Sequence, residues 1–218
     1  MKNNIVMKVT DITPQKHNKG RVSVYLDGKY AFSLDEVDAY RLKIKIGSSL
    51  TEADVERCNT ESNLSKAIAK AADILSRKSA TKAEIMKKLR DKGYDDEIVS
   101  SAVSELEELG YINDYDYAML YMDYAKEKCY GEKKICYELA NKGVDQFIIE
   151  DVLEKMHSPD SKELAQKIYS KYGCIDLTDI KQKQRVARYL ASRGFEFSQI
   201  NDALKEYLRR DKSGGIFK

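Results

Sequence analysis

Four cysteines and two histidines are the residues best suited to metal or nucleophilic chemistry in this 218-residue chain. Their spacing argues against both. Cys58, Cys129, Cys136 and Cys174 form no C-x-x-C pair, and His17 and His157 lie far apart, so no zinc set is visible. Nothing in the order of residues supports a Ser-His-Asp or Cys-His arrangement. The thiols read as reduced and partly buried. No G-x-x-x-x-G-K-[ST] loop and no G-x-G-x-x-G turn is present to cradle a phosphate. The acid pairs Asp95–Asp96 and Glu107–Glu108 fall at a helix start and on a helix face, where solvated surface explains them. The sequence therefore points to a non-enzyme that needs no cofactor.

A sharper possibility lies in "YINDYDYAMLYMDYAKEKCYG". Tyr111, Tyr115, Tyr117, Tyr121, Tyr124 and Tyr130 are aromatic faces on which bases could stack. Tyr117, Tyr121 and Tyr124 also follow the three-to-four spacing of a helical packing stripe, and packing is the preferred reading. Hydrophobic residues make up 42% of the chain and charged residues 34%, which predicts a folded protein with a highly charged surface. Only 2 prolines in such a length favour helix. No uncharged apolar run approaches the roughly 18 residues of a membrane span. "MKNNIVMKVTDIT" lacks the apolar centre of a secretion signal. The expected setting is cytoplasmic, away from any membrane.

Two kinds of segment must position whatever acts. In residues 1–61, "RVSVYLDGKYAFSL" alternates apolar and polar around Asp27-Gly28, the signature of a type I′ hairpin. Val22, Val24 and Leu26 share one face, with Tyr30 and Phe32 opposite them. "NIVMKVTDI" (Asn4–Ile12) predicts a third strand, and "SLDEVDAYRL" and "LTEADVERC" predict short covering helices. From about Asn63 the spacing becomes helical. Taking Gly93, Gly143 and Gly194 as zero, the same apolar offsets recur three times, 50 and 51 residues apart. Offset −8 holds Ile85, Ile135 and Val186, and −4 holds Leu89, Leu139 and Leu190. Offset +6 holds Val99, Ile149 and Ile200, and +13 holds Leu106, Met156 and Tyr207. Each unit also has a preceding helix, near 63–78, 114–129 and 159–172, the last capped by Ser158 with Pro159 in its first turn. Thr81 and Glu84 predict a capping box. The expected fold is mainly α: a β-rich head at 1–61, three-helix modules A–B–C at 62–111, 112–157 and 158–212 stacked into an elongated, curved array, and a flexible tail at 213–218.

Charge is banded along this array. The chain is +2 overall, but residues 112–161 carry −5 and residues 162–218 carry +6. Basic residues gather on the B helices: Lys87, Lys88 and Arg90, then Lys133 and Lys134, then Lys181, Arg185, Arg188 and Arg193. These nine are the candidate contacts to a partner. The first two C helices carry Glu105, Glu107 and Glu108, and Glu150, Asp151 and Glu154. Such banding suits a partner that offers both signs of charge, as a protein–nucleic acid filament does.

The strings "LRDKGYDDEIVSSAVSELEELGYINDYDYA" (Leu89–Ala118), "GEKKICYELANKGVDQFIIEDVL" (Gly131–Leu153) and "RVARYLASRGFEFSQINDAL" (Arg185–Leu204) resemble the RecX family of recombinase regulators. The resemblance covers about 63–210, and the hairpin head is similar to that of the longer members. It implies a tandem array of three-helix modules. It also implies a monomer that binds the RecA filament on single-stranded DNA, touching the DNA directly or through RecA, and restrains its ATPase, strand-exchange and co-protease activities. No catalytic residue carries over. The acidic middle module departs from a continuous basic track. A second reading is a stand-alone DNA-binding transcriptional regulator, because Thr81–Ile112 resembles a helix-turn-helix segment in outline. In that motif the second helix should offer basic or amide side chains to the bases in the major groove, and here it offers Glu105, Glu107 and Glu108.

Overall fold

The computed structural model describes residues 6–16 and 18–212. Residues 213–218, expected as a tail, lie outside them, as do His17 and the first two residues of the expected strand at Asn4–Ile12. Two compact units divide the chain at Ile112/Asn113.

The first unit begins with an antiparallel sheet of order β3-β2-β1-β4, made of β1 (Val6–Gln15), β2 (Asn18–Leu26), β3 (Lys29–Asp35) and β4 (Ser49–Thr51). Asp27 (φ 48°) and Gly28 (φ 80°) make the tight turn with positive φ at both positions. Val22 faces Leu34 and Val24 faces Phe32, all four buried. Tyr30 departs from the expected register. A shift between Val24 and Tyr25 places Tyr30 opposite Tyr25, ring centroids 6.0 Å apart, and 58% exposed. A one-residue slip moves a side chain to the other face of the sheet.

Two helices cover this sheet. Helix α1 (Glu36–Arg41) is one of the short helices expected. The helix expected at "LTEADVERC" and the one expected from Asn63 are a single helix, α2 (Glu52–Leu75), started by a capping box between Thr51 and Asp54. The head and first module therefore share a helix, and polar contacts fasten the two parts. Buried Arg21 pairs with Asp35 at 2.7 Å and donates to Ser62 Oγ at 2.7 Å and to the Ser33 carbonyl at 3.0 Å. Removing a partner from such a network strands a desolvated charge. Helices α3 (Lys82–Arg90) and α4 (Asp96–Glu108) complete the unit, and α3 opens with the Thr81–Glu84 capping box.

The second unit holds α5 (Asp114–Lys128), α6 (Glu132–Asn141), α7 (Gln146–Glu154), α8 (Ser161–Tyr172), α9 (Ile180–Ser192) and α10 (Phe197–Lys212). Helix A of each module packs on helix C, as α2 on α4, α5 on α7 and α8 on α10. The turn between B and C is the same each time. The N–H of Tyr94, Val144 and Phe195 donates to the carbonyl of Leu89, Leu139 and Leu190, at 3.3, 3.1 and 3.3 Å. The offset −8 and −4 residues are all buried, each worth roughly 1.5–3 kcal/mol of apolar transfer.

Helix α8 starts two residues later than Pro159 predicts. Asp160 caps it, accepting from the Glu163 N–H at 2.8 Å while Glu163 returns to the Asp160 N–H at 3.0 Å. Two orphan donors are satisfied this way, where Ser158 alone would satisfy one. Ser158 instead donates to Glu132 at 2.6 Å. The modules of this unit meet closely at two glycines. The Gly131 N–H donates to the Arg193 carbonyl at 2.7 Å, and a Cβ on Gly194 would fall 2.3 Å from the Lys134 nitrogen.

Candidate nucleic-acid interface

Helix α9 turns Val186 and Leu190 inward. Arg185, Tyr189 and Arg193 then share a stripe at four-residue spacing, with exposed Lys181 one turn earlier. This stripe meets the end of α8, where Lys171 and Tyr172 stand, and the link from α5 to α6, which carries Tyr130. The result is a ladder of alternating cations and rings. Lys134 Nζ lies 4.8 Å and the Arg193 guanidinium 5.5 Å from the centre of Tyr130. Arg193 is also 4.8 Å from Tyr189, whose other cation is Lys171 at 4.5 Å. Tyr172 packs edge-on against Tyr189 at 5.7 Å and receives Arg185 at 5.2 Å. At the other end Tyr124 joins Tyr130 edge-on at 6.1 Å and holds Lys128 at 5.6 Å.

Such contacts contribute about 0.5–1 kcal/mol each at exposed sites. Their larger effect is to hold long, flexible cations in one row. Burial raises the Tyr189 phenol above its ordinary value, partly opposed by Arg193. Burial pushes Tyr121 up to about 12. A hydrogen bond with Tyr130 raises Tyr124. These rings therefore stay neutral near pH 7, and the row keeps its positive charge. The rings are faced by the protein's own cations, so the row suits gripping a phosphodiester backbone more than stacking bases. Binding of that kind is insensitive to base sequence and strongly dependent on salt.

The structure brings Lys134, Arg185 and Arg193 together from the nine candidates. Arg193 is half-buried and donates to the Lys128 carbonyl, so it spends part of its guanidinium joining the second module to the third. Lys133 pairs with Glu196 at 2.9 Å. Exposed Arg188 donates through Nε to the Gln184 carbonyl at 3.3 Å. Lys87, Lys88 and Arg90 belong to the other unit, where Lys87 is exposed, Lys88 half-buried and Arg90 paired with Asp96 at 2.6 Å. Lys128, Lys171, Tyr172 and Tyr189 were not among the candidates. The four-residue spacing Arg185-Tyr189-Arg193 could have flagged Tyr189, but the other three reach the row only through tertiary contacts. The tyrosine-rich segment divides: Tyr115, Tyr117, Tyr121 and Tyr130 pack on the core of the second module, while Tyr124, expected in the packing stripe, and Tyr111 stay exposed.

Among the described residues no group of three His, Cys, Asp or Glu could hold a metal ion, and the four cysteines are unpaired. No helix among the described residues is long and apolar enough to cross a membrane.

The chain is mostly helical and is built of three-helix modules behind a small antiparallel sheet. The family descriptions that match are "Regulatory protein RecX N-terminal domain" at residues 7–51, "RecX, first three-helix domain" at 67–106 and "RecX, third three-helix domain" at 162–204. The regulatory protein RecX of Clostridium botulinum is 32% identical over 203 residues, spanning 91% of this chain and 95% of that one. That of Caldanaerobacter subterraneus is 30% identical over 191 residues, 87% of this chain and 95% of its own. A crystal structure of regulatory protein RecX superposes with a TM-score of 0.72 at 28% identity, covering 92% of this chain and 100% of the other. The chain belongs to the RecX family, non-enzymatic regulatory proteins of RecA.

Proposed function

We propose that this protein binds the RecA filament on single-stranded DNA and restrains its ATPase, strand-exchange and co-protease activities. It acts as a monomer in the cytoplasm and without a cofactor, any ATP belonging to RecA. Its working parts are the head and three modules bounded near residues 61, 111 and 157. The observation that carries this reading is the cation–ring row of the second unit. It offers a fixed line of positive charge to a single strand. A ligand that binds one filament state better than another shifts the filament toward that state by its differential affinity alone.

The duplex-reading alternative is disfavoured by α4, which would be the groove-entering helix. It exposes Glu97, Glu105 and Glu108, and these would repel phosphate. The test adds the protein to RecA on single-stranded DNA and follows ATP hydrolysis and filament length. A dose-dependent fall in hydrolysis is expected. No change in either quantity at saturating protein would end the reading.

A further inference from the structure

The three C helices agree inside and differ outside, although α10 also exposes a ring, Phe197, one offset earlier than Phe147 in α7 and without three carboxylates behind it. Offsets +4, +7, +8 and +11 from the turn glycine face away from the buried +6 and +9 positions. In α4 they are Glu97, Ser100, Ser101 and Ser104; in α10 they are Ser198, Asn201, Asp202 and Lys205. In α7 they are Phe147, Glu150, Asp151 and Glu154, a ring followed by three carboxylates at helical spacing.

Phe147 contributes nothing to the core. Ile149 and Val152 fill that side of α7, and Phe147 is 81% exposed. Only its backbone is engaged, its N–H donating to Asp145 Oδ1 at 2.8 Å. The carboxylates are exposed too. Asp151 pairs with Lys155 at 2.7 Å and Glu150 accepts from Gln146 at 2.8 Å, which leaves the face strongly negative. A second exposed offset of the same module changes in the same direction. At −6 the other B helices carry the bases Lys87 and Arg188, whereas α6 carries Tyr137, 66% exposed.

An exposed ring costs solvation without stabilising the fold. Framed by charge, it has the makings of an interface anchor: an aromatic centre that is desolvated on docking, within a polar rim that sets the partner. Negative charge rules out a nucleic acid as that partner, because its phosphates would be repelled. Charge complementarity selects a protein surface with lysines or arginines around an apolar pocket.

We infer that the outer face of α7, with Phe147 as anchor and Glu150, Asp151 and Glu154 as frame, docks onto a basic, pocketed surface of a RecA protomer. The identity of the partner rests on the proposed function; the chemistry of the partner rests on α7 alone. The second module then contributes protein contact and the cation–ring row contributes DNA contact.

The experiment compares full-length wild type, Phe147→Ser and the double variant Glu150→Lys/Glu154→Lys. Binding is measured to purified RecA without DNA and, separately, to an oligothymidylate without RecA. All three substituted positions are exposed, so melting temperatures should match the wild type. Expected are a loss of RecA affinity of about tenfold or more for each variant, a wild-type RecA affinity that weakens with salt, and oligothymidylate affinity that is not reduced. Wild-type RecA affinity retained by both variants overturns the assignment of α7 while leaving the filament reading in place. Loss of oligothymidylate affinity in Phe147→Ser would also overturn it, by placing α7 on the DNA side. Absence of wild-type binding to DNA-free RecA would overturn this assignment, while the filament reading would still stand or fall on ATP hydrolysis and filament length on single-stranded DNA.

Discussion

The second and third modules are alike inside and different outside. Ile135 and Val186, Leu139 and Leu190, and Ile149 and Ile200 occupy matching buried places. The outward residues of α6 and α7 include Tyr137, Phe147 and three carboxylates, while α9 turns out Lys181, Arg185 and Arg188. Burial constrains a repeat because every core position must be refilled by a side chain of similar volume. Exposed positions carry no such constraint, so one fold can present a negative face with rings and a positive row with rings. Function in such a protein is found by subtracting what the copies share.

The shared interior can be tested first, with the largest effect. Leu139→Ala and Leu190→Ala each empty a fully buried offset −4 position, and each should cost about 2–5 kcal/mol in denaturant unfolding. Similar losses support equivalent cores; a loss confined to one module would break the equivalence.

The turn glycines sharpen the comparison with a smaller difference. Gly93 (φ 85°) has nothing near its missing Cβ, so Gly93→Ala should cost only the left-handed strain of about 1–2 kcal/mol. Gly194 (φ 87°) has that strain and a Cβ position 2.3 Å from the Lys134 nitrogen. Gly194→Ala should exceed Gly93→Ala by about 1–3 kcal/mol of overpacking. It should also disturb the Tyr130 and Arg193 rungs of the row. Equal costs would mean that the close approach of the second and third modules is absent in solution.

The smallest effect lies in acid. Hydrogen bonds from Arg209 and Arg210 hold the Glu206 carboxyl below its ordinary value, as the Glu163 N–H does for Asp160 and the Thr178 hydroxyl for Asp176. A depressed folded value means that the native state favours the ionised form. This stabilisation is complete above the ordinary carboxylate value and is lost as pH falls through the lower folded one. Thermal melts below about pH 4.5 should decline less steeply in Glu206→Gln than in wild type.

The three modules, the Asp27-Gly28 hairpin and the Thr81 cap were legible in the sequence because each is set by residues close together in the chain. The slip that moves Tyr30 away from the core was not, because alternation alone does not reveal a bulge. The start of α8 was misplaced because Ser158 and Asp160 are both good caps and only Glu163 decides between them. Three of the nine charge-based candidates fall in the row. Tyr189 shares the four-residue spacing of Arg185 and Arg193, but Lys128 comes from α5 and Lys171 and Tyr172 from α8, and no local spacing joins these or Tyr130 to Arg193. Phe147 was visible in the sequence, but its exposure was not, since an aromatic residue beside "IIEDVL" also reads as core.

The central claim is that the outer faces of two like modules take different partners. Its most direct test measures Lys171→Glu/Arg185→Glu beside Phe147→Ser against oligothymidylate and against RecA without DNA. The account predicts a crossed result: the first variant loses oligothymidylate affinity by about tenfold or more with a shallower salt dependence and keeps RecA, while the second loses RecA and keeps oligothymidylate. Parallel loss of both partners by both variants, with melting temperatures unchanged, would contradict it.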